Sequence, residues 1–333
     1  MTDGADTQPY KPANSPVSLH PAELGLGCWS FGDIYWRQSD PSDRISNSPL
    51  YKKYKKILHT AREIGIRHFD TAQGYGNGIS EQITGQALKV RRSAVSIATK
   101  TYYRPPDTVR KGIEKSLSRL QSDYIDIFYL HWPKPDRDLR PHIEALENAR
   151  QAGLIRYIGV SNFRPEQISP LLEAGRIDFC QFGYSLIWRT AERELVPFCL
   201  EKGIRMVSYS SLAQGILAHP PGWLSSLESS DPRKKLIPAA PQVRPQVERI
   251  VGELVSLAEE LTITVSQLSL AWNLHRRGFR YVLFGARTEE HLRECFRASH
   301  ISLSPETLQQ LDTLTAPLAE LFSEEDNIFG HRP

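Results

Sequence analysis

Short apolar runs alternate along this chain with longer stretches in which apolar residues return every three or four positions. The short runs read as strands at Leu24–Ser30, Arg67–Thr71, Ala94–Thr99, Ile125–His131, Tyr157–Asn162, Phe179–Gln181, Arg205–Tyr209 and Tyr281–Gly285. The longer ones read as helices at Tyr51–Ile64, Ser80–Leu88, Pro106–Leu120, Arg140–Ala152, Pro165–Ala174, Ala191–Lys202, Val247–Leu261, Val265–His275 and Glu289–Ser299. Gly65, Gly153, Gly175 and Gly203 stand where helices should stop, each a few residues ahead of a strand. Eight strand–helix alternations predict a single (β/α)8 TIM barrel, an α/β fold with a closed parallel sheet. A doubly wound open sheet fits less well, because its Gly-rich fingerprint fails: Gly25 and Gly27 match, but Ser30 holds the third place.

Two segments escape the alternation. From Leu217 to Arg244 the chain is rich in Pro, Ser and charge, which predicts either a lid over the barrel mouth or a partly disordered loop after the seventh strand. The tail beyond Thr315 is a second candidate cover for the mouth. Residues 1–16 read as a flexible polar leader, leaving 17–333 as the barrel. The 333 residues are 40% hydrophobic and 24% charged, with a net charge of +3 and no gathered basic face, so no nucleic-acid partner is expected. Cys28, Cys180, Cys199 and Cys295 are far apart, which argues against a disulfide framework or zinc site and fits a cytoplasmic protein. No run approaches the ~20 apolar residues of a membrane span. Nothing in the sequence bears on oligomeric state.

In such a barrel the chemistry belongs at the C-terminal strand ends. Those ends carry Asp70 with Tyr75 behind it, then Lys100, His131-Trp132, Ser161-Asn162, Gln181, Tyr209-Ser210 and Gly285-Ala286-Arg287. Taken singly, each has an ordinary explanation as a cap, a surface charge or a packing residue. On successive ends of one barrel they make a chemical set. A tyrosine with a pKa of ~10 is a poor acid at neutral pH. A nearby ammonium lowers that value, and a carboxylate keeps the ammonium charged and aimed. This assigns Tyr75 as general acid, Lys100 as its tuner, Asp70 as orienter and His131 as hydrogen-bond donor to a substrate oxygen.

The segments LGLGCWSFG, FDTAQGYGNGISEQ, IATK, YLHWP, IGVSNF, QFGYSL, YSSLAQGIL and GARTEEHLREC, in this order, resemble the aldo-keto reductases from about Gly25 to about Leu314. The resemblance implies a barrel that binds NADPH/NADP+ and reduces an aldehyde or ketone to an alcohol. It makes Asp70, Tyr75, Lys100 and His131 a catalytic tetrad. It puts Gly27, Asp70, Ser161, Asn162, Gln181, Tyr209, Ser210, Leu212, Gly215, Gly285, Arg287, His291, Glu294 and Cys295 at the cofactor, with Ser161, Asn162 and Gln181 on the nicotinamide carboxamide, Tyr209 on its face, and Arg287 on the adenosine 2′-phosphate. The chain departs from the family where Phe284 replaces a common Pro and where His291 and Cys295 replace common Gln and Asn. Trp29, Trp132, Phe163 and Trp188, beside Tyr75 and His131, are either an apolar substrate wall or core packing. His68 reads as a buried barrel histidine. The alternative function is a cofactor-binding regulatory module of the same fold with little turnover. A metal-dependent barrel hydrolase would want H-x-H on a strand end, which is absent, and no metal is expected.

Overall fold

In the computed structural model, which describes residues 22–32, 48–134, 136–323 and 328–330, eight parallel strands close in sequence order, the last pairing with the first. They are β1 (Glu23–Gly27), β2 (His68–Asp70), β3 (Ser96–Thr101), β4 (Ile125–Leu130), β5 (Ile155–Ser161), β6 (Phe179–Gly183), β7 (Arg205–Tyr209) and β8 (Phe279–Phe284). The helices outside them are α1 (Pro49–Ile64), α2 (Ile79–Leu88), α3 (Val109–Leu120), α4 (Arg140–Gln151), α5 (Pro165–Ile168), α6 (Leu195–Lys202), α7 (Trp223–Ser226), α8 (Arg244–Glu260), α9 (Val265–Leu274), α10 (Glu289–Phe296) and α11 (Pro305–Leu321). The expected (β/α)8 TIM barrel is therefore the fold. Strand limits shift by up to three residues, most at the end of β1, and the expected helix at Pro165–Ala174 divides into α5 and a 3-10 turn over Ser169–Glu173. The expected leader lies outside the described residues. Among the described residues, no helix is long and apolar enough to cross a membrane.

Side chains alternate across each strand, so one parity faces the lumen and the other the helices. The lumen is filled by Ala98, Ile127, Tyr129, Phe179, Val207, Tyr281 and Leu283, while a larger cluster lies between strands and helices. Bulky rings fit because glycines face them. A Cβ at Gly159 would stand 2.3 Å from the Tyr129 ring, and one at Gly25 would stand 2.9 Å from His68. Outside the barrel, Gly85 lets α2 approach the backbone of α3 at Leu120, where a Cβ would fall 2.3 Å from its carbonyl oxygen.

The segment after β7 is an ordered cover carrying α7 and 3-10 turns at Pro232–Lys235 and Ile237–Ala239. The Ile237 N–H donates to the Ile328 carbonyl at 3.1 Å, which joins this cover to the C-terminal tail. Phe329 there packs against Trp29 and Tyr209, with ring centroids 6.4 and 6.3 Å away. Helix α11, beginning ahead of the expected tail at Thr315, is absent from the elements expected above. Its buried Leu311, Thr315 and Leu318 keep helical spacing, and the Ser304 side chain caps it by accepting from the Thr307 N–H. Arg189 donates to the Asp312 carbonyl and to Thr315, so this helix is held from the loop after β6.

His68 is wholly buried, stacked on Tyr281 at 3.7 Å, with Nδ1 3.0 Å from Ser96 Oγ. Burial, with the charges of Arg280 and Lys100, holds its pKa well below the usual histidine value. The native ring stays neutral where the unfolded chain, with a pKa of about 6.5, takes up a proton. Stability should therefore fall as pH drops below about 6.5, by up to about 1.4 kcal/mol per pH unit for this group. Urea unfolding at pH 7 and pH 5.5 checks this: H68F should show a shallower decline than wild type, and an equal decline would assign the loss to other groups.

Candidate active site

Most of the polar strand-end residues continue a lumen-facing row. Asp70 follows His68, Lys100 follows Ala98, His131 follows Tyr129, Ser161 follows Gly159, Gln181 follows Phe179, Tyr209 follows Val207 and Gly285 follows Leu283, each two positions on. Pleating thus delivers six polar side chains and one glycine from seven strands to one rim. In the pairing register, Lys100 lies beside Tyr129, Ser161 beside Gln181, and Gly27 beside Asp70.

Lys100 and Asp70 form a buried ion pair, both almost inaccessible to solvent. Lys100 Nζ also donates to the Thr71 carbonyl at 3.0 Å, and the second Asp70 oxygen accepts from Gln181 Nε2 at 2.8 Å. Half-buried Tyr75 presents its ring 5.2 Å from Lys100 Nζ and 5.8 Å, edge to face, from the His131 ring. His131 is buried, and Nδ1 is a buried atom with no hydrogen-bond partner. Burial and then the Lys100 charge hold its pKa well below the usual histidine range, so the ring is neutral.

One electrostatic expectation is reversed. The Lys100 ammonium was expected to draw the Tyr75 pKa down, yet burial, followed by the charge of Asp70, pushes it well above 10. Loss of solvent disfavours the phenolate, and the nearby Asp70 carboxylate disfavours it further, so the Lys100 ammonium does not set the sign. Tyr75 is held fully protonated.

A second polar group adjoins the first. Asn162, at φ 68°, donates from Nδ2 to the His131 carbonyl and to Ser161 Oγ, and its Oδ1 accepts from the Tyr209 hydroxyl at 2.6 Å. After β7, Ser210, Ala213, Gln214 and Gly215 all have positive φ, and Leu212 is buried among them. Such a backbone turns successive N–H groups toward one concavity, which suits an anion. Trp223 closes over it, 3.1 Å from where a Gly215 Cβ would stand, with His219 stacked on its ring and Arg233 4.7 Å above it. Arg233 holds the Asp231 carboxyl down to about 2, and the Arg287 charge adds to this, which brings the cover and Arg287 to the same rim.

Around α10, exposed Arg287 and open space at Gly285 lie beside His291, Glu294 and buried Cys295. Donor atoms of the last three come within 4.8 Å of one another. Glu294 accepts from Thr264 Oγ1 at 2.7 Å, and burial raises the Cys295 thiol pKa, so Cys295 is not poised as a thiolate ligand for a cation.

The expected aromatic wall divides. Phe163 and Trp188 are buried in the core, Trp188 beneath Phe322 at 4.6 Å, whereas Trp29 is 57% exposed and Trp132 half-buried. Two aromatic residues absent from the expected set face the mouth. Tyr102 stacks on His131 at 4.7 Å and is half exposed; it lies two positions beyond Lys100, so strand parity alone would have found it. Phe329 carries no comparable signal, because a distant tail brings it there. A groove of about 670 Å³ between His275-Arg276 and α11 lies beside the start of β8, at the opposite end of the barrel.

Comparison with known proteins adds a family and relatives. Residues 23–316 match the profile of the aldo/keto reductase family. The NADH-specific methylglyoxal reductase of Escherichia coli is 30% identical over 85% of this chain and 91% of its own. The glycerol dehydrogenase of Gluconobacter oxydans superposes with a TM-score of 0.78 at 26% identity, over 91% of this chain and 94% of that one. An aldo/keto reductase from Klebsiella pneumoniae, solved with NADP and acetate, gives a TM-score of 0.68 at 27% identity, over 88% and 90%.

Because Lys100 has almost no access to water, removing its counter-charge leaves an uncompensated buried ammonium. D70N should therefore lose about 3–5 kcal/mol of stability in urea unfolding, and D70N/K100M should recover most of it. A D70N protein as stable as wild type would mean that the ammonium finds another partner or deprotonates.

Proposed function

The chain belongs to the aldo/keto reductase family, and from that we propose that it is an NADPH-dependent oxidoreductase that reduces an aldehyde or ketone to an alcohol, with Tyr75 as general acid. The observation that carries the reading is the meeting of Tyr75, Lys100, Asp70 and His131 on one rim, with the ammonium 5.2 Å from the phenol ring. When bound, reduced nicotinamide supplies hydride to the carbonyl carbon. Negative charge then develops on the carbonyl oxygen, and the group beside it must give a proton. Tyr75 stays protonated across the neutral range and enters each turnover as an acid. An alkoxide is a stronger base than a phenolate, so the proton passes from Tyr75 to the substrate oxygen. Neutral His131 donates a hydrogen bond to the same oxygen without bringing a second positive charge beside Lys100.

Residues of this chain fit the cofactor. Ser161, Asn162 and Gln181 form a connected amide–hydroxyl group able to hold a carboxamide, and Tyr209 offers a ring at the same rim. The positive-φ turn from Ser210 to Gly215 suits a pyrophosphate. Arg287 would pair with the 2′-phosphate, the contact that separates NADPH from NADH. That the Klebsiella protein was solved with NADP supports this choice; the Escherichia coli relative is named for NADH, so Arg287 is the residue to test. The substrate wall is aromatic, from Trp29, Tyr102 and Trp132.

NADPH oxidation against a panel of small aldehydes, ketones and sugars tests the reading. Y75F should lose most turnover while NADPH binding, followed by protein fluorescence, changes little. Undiminished turnover in that variant would end the general-acid assignment, and saturable NADPH binding with no turnover on any carbonyl would favour a regulatory cofactor-binding role. R287A should weaken NADPH by about 1.5–3 kcal/mol, as for a charged hydrogen bond, and leave NADH nearly unchanged; an equal loss for both would mean that Arg287 does not read the phosphate.

A further inference from the structure

Tyr75 stands at the head of a backbone segment that needs outside support. Gly76, Asn77 and Gly78 follow with φ of 57°, 53° and 92°, three left-handed residues in a row, a conformation that L residues adopt singly and at a cost. One wall of this turn is the backbone of Gly32: a Cβ on Gly76 would lie 2.7 Å from Gly32 Cα. The opposite wall is the guanidinium of Arg119, on α3, which lies 2.2 Å from where a Cβ of Gly78 would be. Arg119 Nη2 donates to the Asn77 carbonyl at 3.0 Å, and Nη1 donates to Glu81 Oε2 at 3.0 Å. Glu81 is wholly buried in the first turn of α2, and its other oxygen accepts from Thr99 Oγ1 at 2.7 Å. Thr99 precedes Lys100 on β3. The chain of contacts therefore runs from the turn that aims Tyr75, through Arg119 and Glu81, to the strand that carries Lys100.

We propose that Arg119 is a positioning residue for the reaction: its planar fork clamps the left-handed turn against Glu81 and so fixes the Tyr75 hydroxyl relative to Lys100. The two bonds diverge, one to a main-chain oxygen and one to a carboxylate. A lysine, with a single point of charge, can keep the ion pair to Glu81 but not both contacts in this geometry. Arg119 touches none of the assigned catalytic side chains, so it acts through Tyr75. The inference rests on the general-acid reading of Tyr75.

The test is a double-mutant cycle on the full chain with NADPH and the best carbonyl of the panel, using R119K, Y75F and R119K/Y75F, with thermal midpoints measured alongside. R119K should lower kcat roughly tenfold to a hundredfold, the scale of an ångström-sized misplacement, with KM and NADPH affinity within about twofold of wild type, as expected when an effect is confined to the chemical step. In the Y75F background R119K should change kcat little, because the group it aims is gone. R119M/E81Q removes both charges and guards against misfolding caused by an unpaired Glu81; it should lose kcat to the same degree. Full kcat in R119K and in R119M/E81Q, or an equal loss from R119K with and without the Tyr75 hydroxyl, overturns the proposal and leaves the acid assignment standing. Undiminished turnover in Y75F itself removes the acid assignment and this inference with it.

Discussion

The buried pair of Lys100 and Asp70 is the constraint around which the mouth of this barrel is organised. An ammonium with almost no access to water is tolerable only if its charge is met at contact distance and hydrogen bonds support the pair. Asp70, the Thr71 carbonyl and, from across the barrel, the amide of Gln181 on Asp70 satisfy that condition. Meeting it ties β2, β3 and β6 together at the end where the lumen opens. It also sets the electrostatics of everything nearby. At Tyr75, desolvation and then the Asp70 charge disfavour the phenolate, so the phenol keeps its proton. His131 feels the same burial with the opposite consequence, since for an imidazole the neutral form is the one without the extra proton.

Around this centre the protein spends backbone irregularity rather than regular structure. Left-handed residues cluster in the turn after Tyr75, at Asn162 behind β5, and from Ser210 to Gly215 behind β7. Each is held by neighbours: Gly32 and Arg119 around the first, Tyr209 and the His131 carbonyl around the second, Trp223 over the third. Rigid strands provide position and these supported turns provide aim, the division expected of a barrel whose chemistry sits in its βα loops. The covers complete the mouth from two distant parts of the chain, the segment carrying α7 and the tail at Ile328–Gly330, which bond to one another at Ile237.

What the sequence determined by itself was whatever depends on period and parity. Alternation of apolar runs predicted eight strands and their order, because a parallel strand must be followed by a return helix. Strand-end position gathered Asp70, Lys100, His131, Ser161, Gln181 and Tyr209, and two-residue alternation past Lys100 leads to Tyr102. Helical spacing in α11, at Leu311, Thr315 and Leu318, is equally present in the sequence, although α11 lies outside the elements expected above. Only the tertiary structure decided the rest. It decided that Trp188 lies under Phe322 while Phe329 comes to the rim, since both depend on where a tail after the last helix returns. It decided the sign of the Tyr75 shift, because that sign turns first on how far the phenol is withdrawn from solvent. Parity tells which way a side chain points; distance and solvent, which no one-dimensional pattern contains, decide what its charge does.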